Sequence, residues 1–97
     1  MSKVKEVEFG EVVNKISDAV NRNKECNYVI IYFDWKDKYT ADEIENSCIN
    51  LSQLLSLKCD KLVLVDIELP NEEMENGSIA LYTNPNLQLD FNTKEDK

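Results

Sequence analysis

YVIIYFDWKDKYTADE, residues 28–43, is the stretch on which the fold turns. Tyr28, Ile30 and Tyr32 alternate with Val29, Ile31 and Phe33, so a strand over Tyr28 to Trp35 is apolar on both faces. Such strands sit inside sheets that are covered on both sides, and helices on both faces are expected. The run then meets a charged loop and Thr40, Ala41, Asp42, Glu43, a capping box in which Thr40 accepts from a free backbone N–H and Glu43 reaches back. A second helix starts there. Its core stripe reads Ile44, Cys48, Leu51 and Leu55, and Asp42, Glu43 and Glu45 place negative charge on the positive end of its dipole. On a helical wheel Ile49 lies well away from that stripe and Leu57 is displaced from it. Both are candidates for an apolar surface facing solvent.

Upstream, Phe9, Val12, Val13, Ile16 and Val20 recur at helical spacing, with Glu11 to Lys15 and Asp18 to Arg22 as i,i+4 pairs on the wet side. This predicts a first helix over 9–22, ended by the Asn-rich segment 21–27. Downstream, Lys61 to Glu68 holds Leu62, Val63, Leu64 and Val65 and reads as a second interior strand. Strand, helix and strand over this length imply a right-handed parallel crossover. Residues 71–77 form a polar acidic loop. Ser78 to Thr83 and Leu87 to Phe91 predict a hairpin around Asn84, Pro85 and Asn86, and the clean alternation of Leu87, Leu89 and Phe91 marks the last strand as a sheet edge.

The expected fold is therefore α/β: a small α-β-α-β-β-β domain with a mixed four-stranded sheet and helices on both faces. Ninety-seven residues suffice for one core and not two. Residues 1–91 are read as a single domain and 92–97 as a flexible polar tail. Over residues 9–91 this order, with Trp35 after the first strand, resembles a shortened thioredoxin-like fold. Lys36, Asp37, Lys38 and Tyr39 stand where a redox cysteine pair would be, and the helices flanking the hairpin in that fold are missing. The resemblance implies topology without redox activity.

Lys+Arg total 11 against 19 Asp+Glu, a net charge of -8, which repels phosphate backbones and anionic lipid and suits a protein partner with a basic surface. No nucleic-acid or membrane binding is expected. Cys26, Cys48 and Cys59 are widely spaced, odd in number and unaccompanied by histidine, which argues against structural zinc and against a disulfide scaffold. A reducing cytoplasm fits that usage. The start MSKVKEVE lacks the apolar core of a signal peptide, and the longest apolar stretch, Tyr28 to Phe33, is far too short to span a bilayer.

Two surfaces invite a functional reading. Asp34, Asp66 and Glu68 fall near the carboxyl ends of parallel strands, where clustered carboxylates hold Mg²⁺ for phosphoryl or phosphodiester chemistry. No glycine-rich phosphate loop accompanies them, and triads that need histidine are excluded by composition. No cofactor is implied. The other surface is contact chemistry: Trp35 and Tyr39 flanking the loop, Ile49 on the second helix, and Glu68, Glu72, Glu73 and Glu75 around Leu69 and Met74 in an acidic segment able to dock a basic groove. The expectation is a small acidic interaction module without catalysis, in the manner of inhibitor, immunity or host-modulating proteins of mobile elements. The alternatives are a Mg-dependent enzyme using the strand-end carboxylates and a redox-inactive thioredoxin-like adaptor. Self-association through a free edge strand is a further expectation.

Overall fold

The structure, a computed structural model, describes residue 7 and residues 9–84. In chain order these form α1 (Glu11–Arg22), β1 (Tyr28–Tyr32), α2 (Ala41–Cys59), β2 (Leu64–Glu68) and β3 (Ile79–Tyr82). The chain is thus a small α/β domain with two helices and, among the described residues, a three-stranded mixed sheet in the order β2-β1-β3. The expected strand 87–91 and the tail 92–97 lie outside the described residues.

β1 is central because it bonds on both sides: parallel to β2 with Tyr28 opposite Leu64 and Tyr32 opposite Glu68, and antiparallel to β3 with Tyr28 opposite Tyr82. The parallel pair is joined through α2, which opens on the expected capping box. Thr40 Oγ1 accepts from the Glu43 N–H at 3.2 Å, and Glu43 Oε1 accepts from the Thr40 N–H at 2.9 Å. The helix ends at Asp60, held in the left-handed region at φ 55°. α1 begins two residues later than its pattern suggests, at a Gly10 cap with φ 54°. Asn23 stops it by folding its backbone N–H and side-chain amide onto Ala19 O.

Three expectations fail, for related reasons. Both helices pack on one face of the sheet: Val13, Ile16 and Val20 of α1 and Ile44, Leu51 and Leu55 of α2 share one core with Val29, Ile31, Val65 and Ile67, which alternate along their strands. The opposite face carries Tyr28, Ile30 and Tyr32 beside Asp66 and Ala80, and the Tyr28 and Tyr82 rings lie 6.0 Å apart over it. Ile30 and Tyr32 are buried on this face and Tyr28 is half-buried, although neither described helix packs there. Among the described residues β2 is not interior but an edge of the sheet, and its residues alternate between exposed or half-buried (Leu64, Asp66, Glu68) and buried (Val65, Ile67). Cys48 is not in the core stripe. Ser47 and Cys59 are buried there instead, while Cys48 is half-buried against the β2 edge.

Asn27 fastens one end of the sheet. Its backbone N–H donates to Tyr82 O and its carbonyl accepts from the Leu64 N–H, both at 3.0 Å, so one residue meets both flanking strands. Its buried side chain donates to Asn84 O at 3.1 Å and accepts from the Asn84 N–H at 2.7 Å.

Candidate functional site

Three i,i+4 rows divide the surface of α2. The buried row holds Ser47, Leu51, Leu55 and Cys59. The next, Cys48, Ser52 and Ser56, is half-buried and runs along the outer edge of β2. Ser56 Oγ accepts from the Val63 N–H at 2.9 Å and donates to the Val63 carbonyl at 3.1 Å. Ser52 Oγ accepts from the Val65 N–H at 2.8 Å, and Cys48 is half-buried one turn further along. An edge strand would otherwise leave these groups unpaired. The pairing order also shows that α2 runs antiparallel to β2.

The third row, Glu45, Ile49, Gln53 and Leu57, is exposed and forms one wall of a groove whose other wall is Leu62, Leu64 and Asp66, with Tyr28 at one end. The groove encloses about 900 Å³. Four large apolar side chains on it are open to solvent: Ile49 at 49%, Leu57 at 81%, Leu62 at 48% and Leu64 at 37%. The two residues singled out by the helical wheel are thus brought together with two from the strand segment. Scattered exposed leucines are ordinary; here four large apolar side chains share one groove.

The charge in the groove has one sign. Glu45 and Asp66 are the charged residues that line it. Lys61 is turned elsewhere, its Nζ donating to Lys24 O at 2.8 Å. At the acidic end the Tyr28 hydroxyl donates to Asp66 Oδ2 at 3.1 Å. Burial, then the Asp66 charge and this bond, push the Tyr28 pKa up to about 12. Burial first, and Asp66 second, push the Cys48 thiol up to about 11 despite the Ile67 N–H, so the sulfur stays protonated and weakly nucleophilic at neutral pH.

The other expected contact residues fall elsewhere. Trp35 and Tyr39 are half-buried against the core, with the Tyr39 and Phe33 rings 6.1 Å apart. The Trp35 Nε1–H is enclosed with no hydrogen-bond partner among the described residues. Glu68, Glu72, Glu73 and Glu75 are exposed and Met74 is half-buried. The segment that bears them is tied down. Asn71 Oδ1 accepts from the Glu73 and Met74 N–H groups at 2.8 and 2.7 Å. Asn76 Oδ1 accepts from the Asp34 N–H at 3.1 Å, and the Gly77 N–H donates to Tyr32 O at 2.7 Å.

Asp34, Asp66 and Glu68 do not form the expected cluster: among the described residues no three carboxylate, thiol or imidazole groups converge on a common metal position. Asp66 is instead committed to Tyr28 and, through Oδ1, to the Ile67 N–H at 3.2 Å. No described helix is long and apolar enough to cross a membrane. Comparison of the chain with protein-family models, with curated proteins and with solved structures found no match.

Proposed function

We propose that this protein is a non-catalytic interaction module that receives an apolar segment of a basic protein partner in the groove between α2 and β2. The observation that carries this reading is the set Ile49, Leu57, Leu62 and Leu64, exposed together in a groove whose charged lining is acidic. Apolar anchors of this kind supply most of the affinity at protein interfaces, while surrounding charge selects partners and speeds encounter. Glu68 at the end of β2, and Glu72, Glu73 and Glu75 on the segment that follows it, add to the field that draws in a basic surface. A small inhibitor or immunity-type protein of the cytoplasm fits this description. The parallel β1–β2 pair joined through α2, with antiparallel β3 beside β1, supports the finer proposal of a shortened thioredoxin-like topology used as a redox-inactive adaptor.

The test is capture of binding proteins from source lysate by the tagged chain, with Leu57→Asp and the triple change Glu72→Ala, Glu73→Ala, Glu75→Ala in parallel. Leu57→Asp should abolish recovery of a stoichiometric partner. The triple variant should retain it and release it at lower salt, because long-range attraction is screened and apolar contact is not. A partner lost with the triple variant and kept by Leu57→Asp would move the site to the acidic segment.

A further inference from the structure

We infer that the occupant of the groove is an amphipathic α-helix with Lys or Arg flanking its apolar face, and not an added β-strand or a second copy of this chain. The inference rests on the groove being the docking surface.

The case against a strand is hydrogen bonding. Strand addition requires a row of free backbone donors and acceptors on a sheet edge. At the edge nearest the groove, Ser56 closes both the N–H and the carbonyl of Val63, and Ser52 closes the N–H of Val65. These bonds run α2 along that edge and leave no continuous row of free groups for a strand to pair with. Whatever covers Ile49, Leu57, Leu62 and Leu64 must therefore satisfy most of its own backbone internally. A helix meets that condition.

The case for a helix is also one of shape. The exposed row from Glu45 to Leu57 rises about 18 Å along α2. A partner helix of about 12 residues matches that length and offers apolar residues on one face at i, i+4, i+7 and i+11. The groove is lined on one side by an i,i+4 ridge and on the other by Leu62 and Leu64, the arrangement into which a second helical ridge packs.

Charge selects the helix and disfavours a second copy. Glu45 and Asp66 line the groove where α2 begins and β2 ends, while Leu57 and Leu62 define the other end as purely apolar. A symmetric dimer would bring together two chains of net charge -8, each with the same acidic lining and neither supplying a groove-lining cation. A basic flank on the occupant meets Glu45 and Asp66 favourably.

The test uses three fluorescent synthetic peptides, each about 12 residues long to match the groove. One is Leu/Lys with leucines at helical spacing. The second has the same composition with leucine at every second position, and the third is the helical pattern with Glu for Lys. Fluorescence anisotropy against the full chain should show the basic helical peptide binding about tenfold or more tighter than either control. Circular dichroism should show it gaining helix on binding.

Leu57→Asp separates groove binding from general attraction to an acidic protein. It adds a negative charge, so purely electrostatic binding would strengthen, whereas docking in the groove weakens by about tenfold or more. Leu57 is exposed, so the variant folds. If the alternating peptide binds as tightly as the helical one and both are weakened by Leu57→Asp, the groove stands and the helical occupant is wrong. If Leu57→Asp weakens none of them, the groove reading itself falls. A dimer in sedimentation that Leu57→Asp dissolves would make a second copy the occupant and overturn the inference.

Discussion

The segment 69–77 and the groove between α2 and β2 are the two surfaces on which this chain could meet another protein, and they are built in opposite ways. The first exposes Glu72, Glu73 and Glu75 and no large apolar side chain, and its backbone is fastened by Asn71, Asn76 and Gly77. The second exposes apolar side chains on a rigid helix and a hydrogen-bonded strand. Charge acts over a Debye length and is screened by salt; apolar contact acts only on touching and is not. In the proposed function the acidic segment therefore serves encounter and the groove retention.

Within α2, Leu55 and Leu57 stand two positions apart, one facing the core and the other the groove. Leu55 is fully buried, and Leu55→Ala should cost about 2–5 kcal/mol in denaturant unfolding. Leu57→Ala should change stability by no more than about 0.5 kcal/mol. Equal costs would mean that Leu57 is a packing residue and the groove is closed.

A smaller effect tests the wall between core and groove. Ser56→Ala leaves the Val63 N–H and carbonyl unpaired, and unfolding stability should fall by about 1–3 kcal/mol. Ser56→Thr, which keeps the hydroxyl, should recover part of that loss. No loss in the alanine variant would show that water replaces the serine and that the edge is open to a strand.

The smallest effect concerns the acidic end of the groove. Because the folded-state Tyr28 pKa is raised from 10.0 to about 12, the folded chain holds a proton that the unfolded chain has released between those values. Stability should fall as pH rises through that window and be unaffected by this group below it. Ultraviolet titration should show Tyr28 and Tyr32 ionising later than ordinary phenols, and Tyr28→Phe should remove one of these late components. Asp66→Asn should bring it back towards the ordinary range; an unchanged titration in that variant would deny the Tyr28–Asp66 contact its role.

Much of the fold was legible in the residues. The capping box at Thr40 and Glu43, the apolar runs of β1 and β2 and the parallel crossover are local or periodic signals, and the structure realises them. The displacement of Ile49 and Leu57 from the helix-two stripe pointed to one wall of the groove. Its other wall was hidden because Leu62 and Leu64 read as core residues of an interior strand, and only the sheet order places β2 at an edge. Ser52 and Ser56 carried no signal for the same reason: a helix pattern does not reveal which strand lies beside it. The two-sided apolar pattern of β1 was right about burial, since Ile30 and Tyr32 are buried as well as Val29 and Ile31, but burial on a face does not say that a helix is what covers it. Asn27 read as a turn residue, since nothing local distinguishes an asparagine that turns the chain from one that binds a segment 57 residues away.

That last residue has a consequence for how the chain reaches its structure. The Asn27 side chain joins Asn84, and its backbone meets Leu64 and Tyr82, so this single position is satisfied only after β1, β2 and β3 have all been synthesised and brought together. Contacts across such separations carry a loop-closure cost that must be met before they reward the chain. The helices and the β1–α2–β2 crossover, with the Asn27–Leu64 bond, can assemble first, leaving the bonds of Asn27 to Tyr82 and Asn84 to close late. Interactions made after the transition state govern how slowly a protein comes apart, so Asn27 is placed to set the lifetime of the folded sheet more than the speed of its formation.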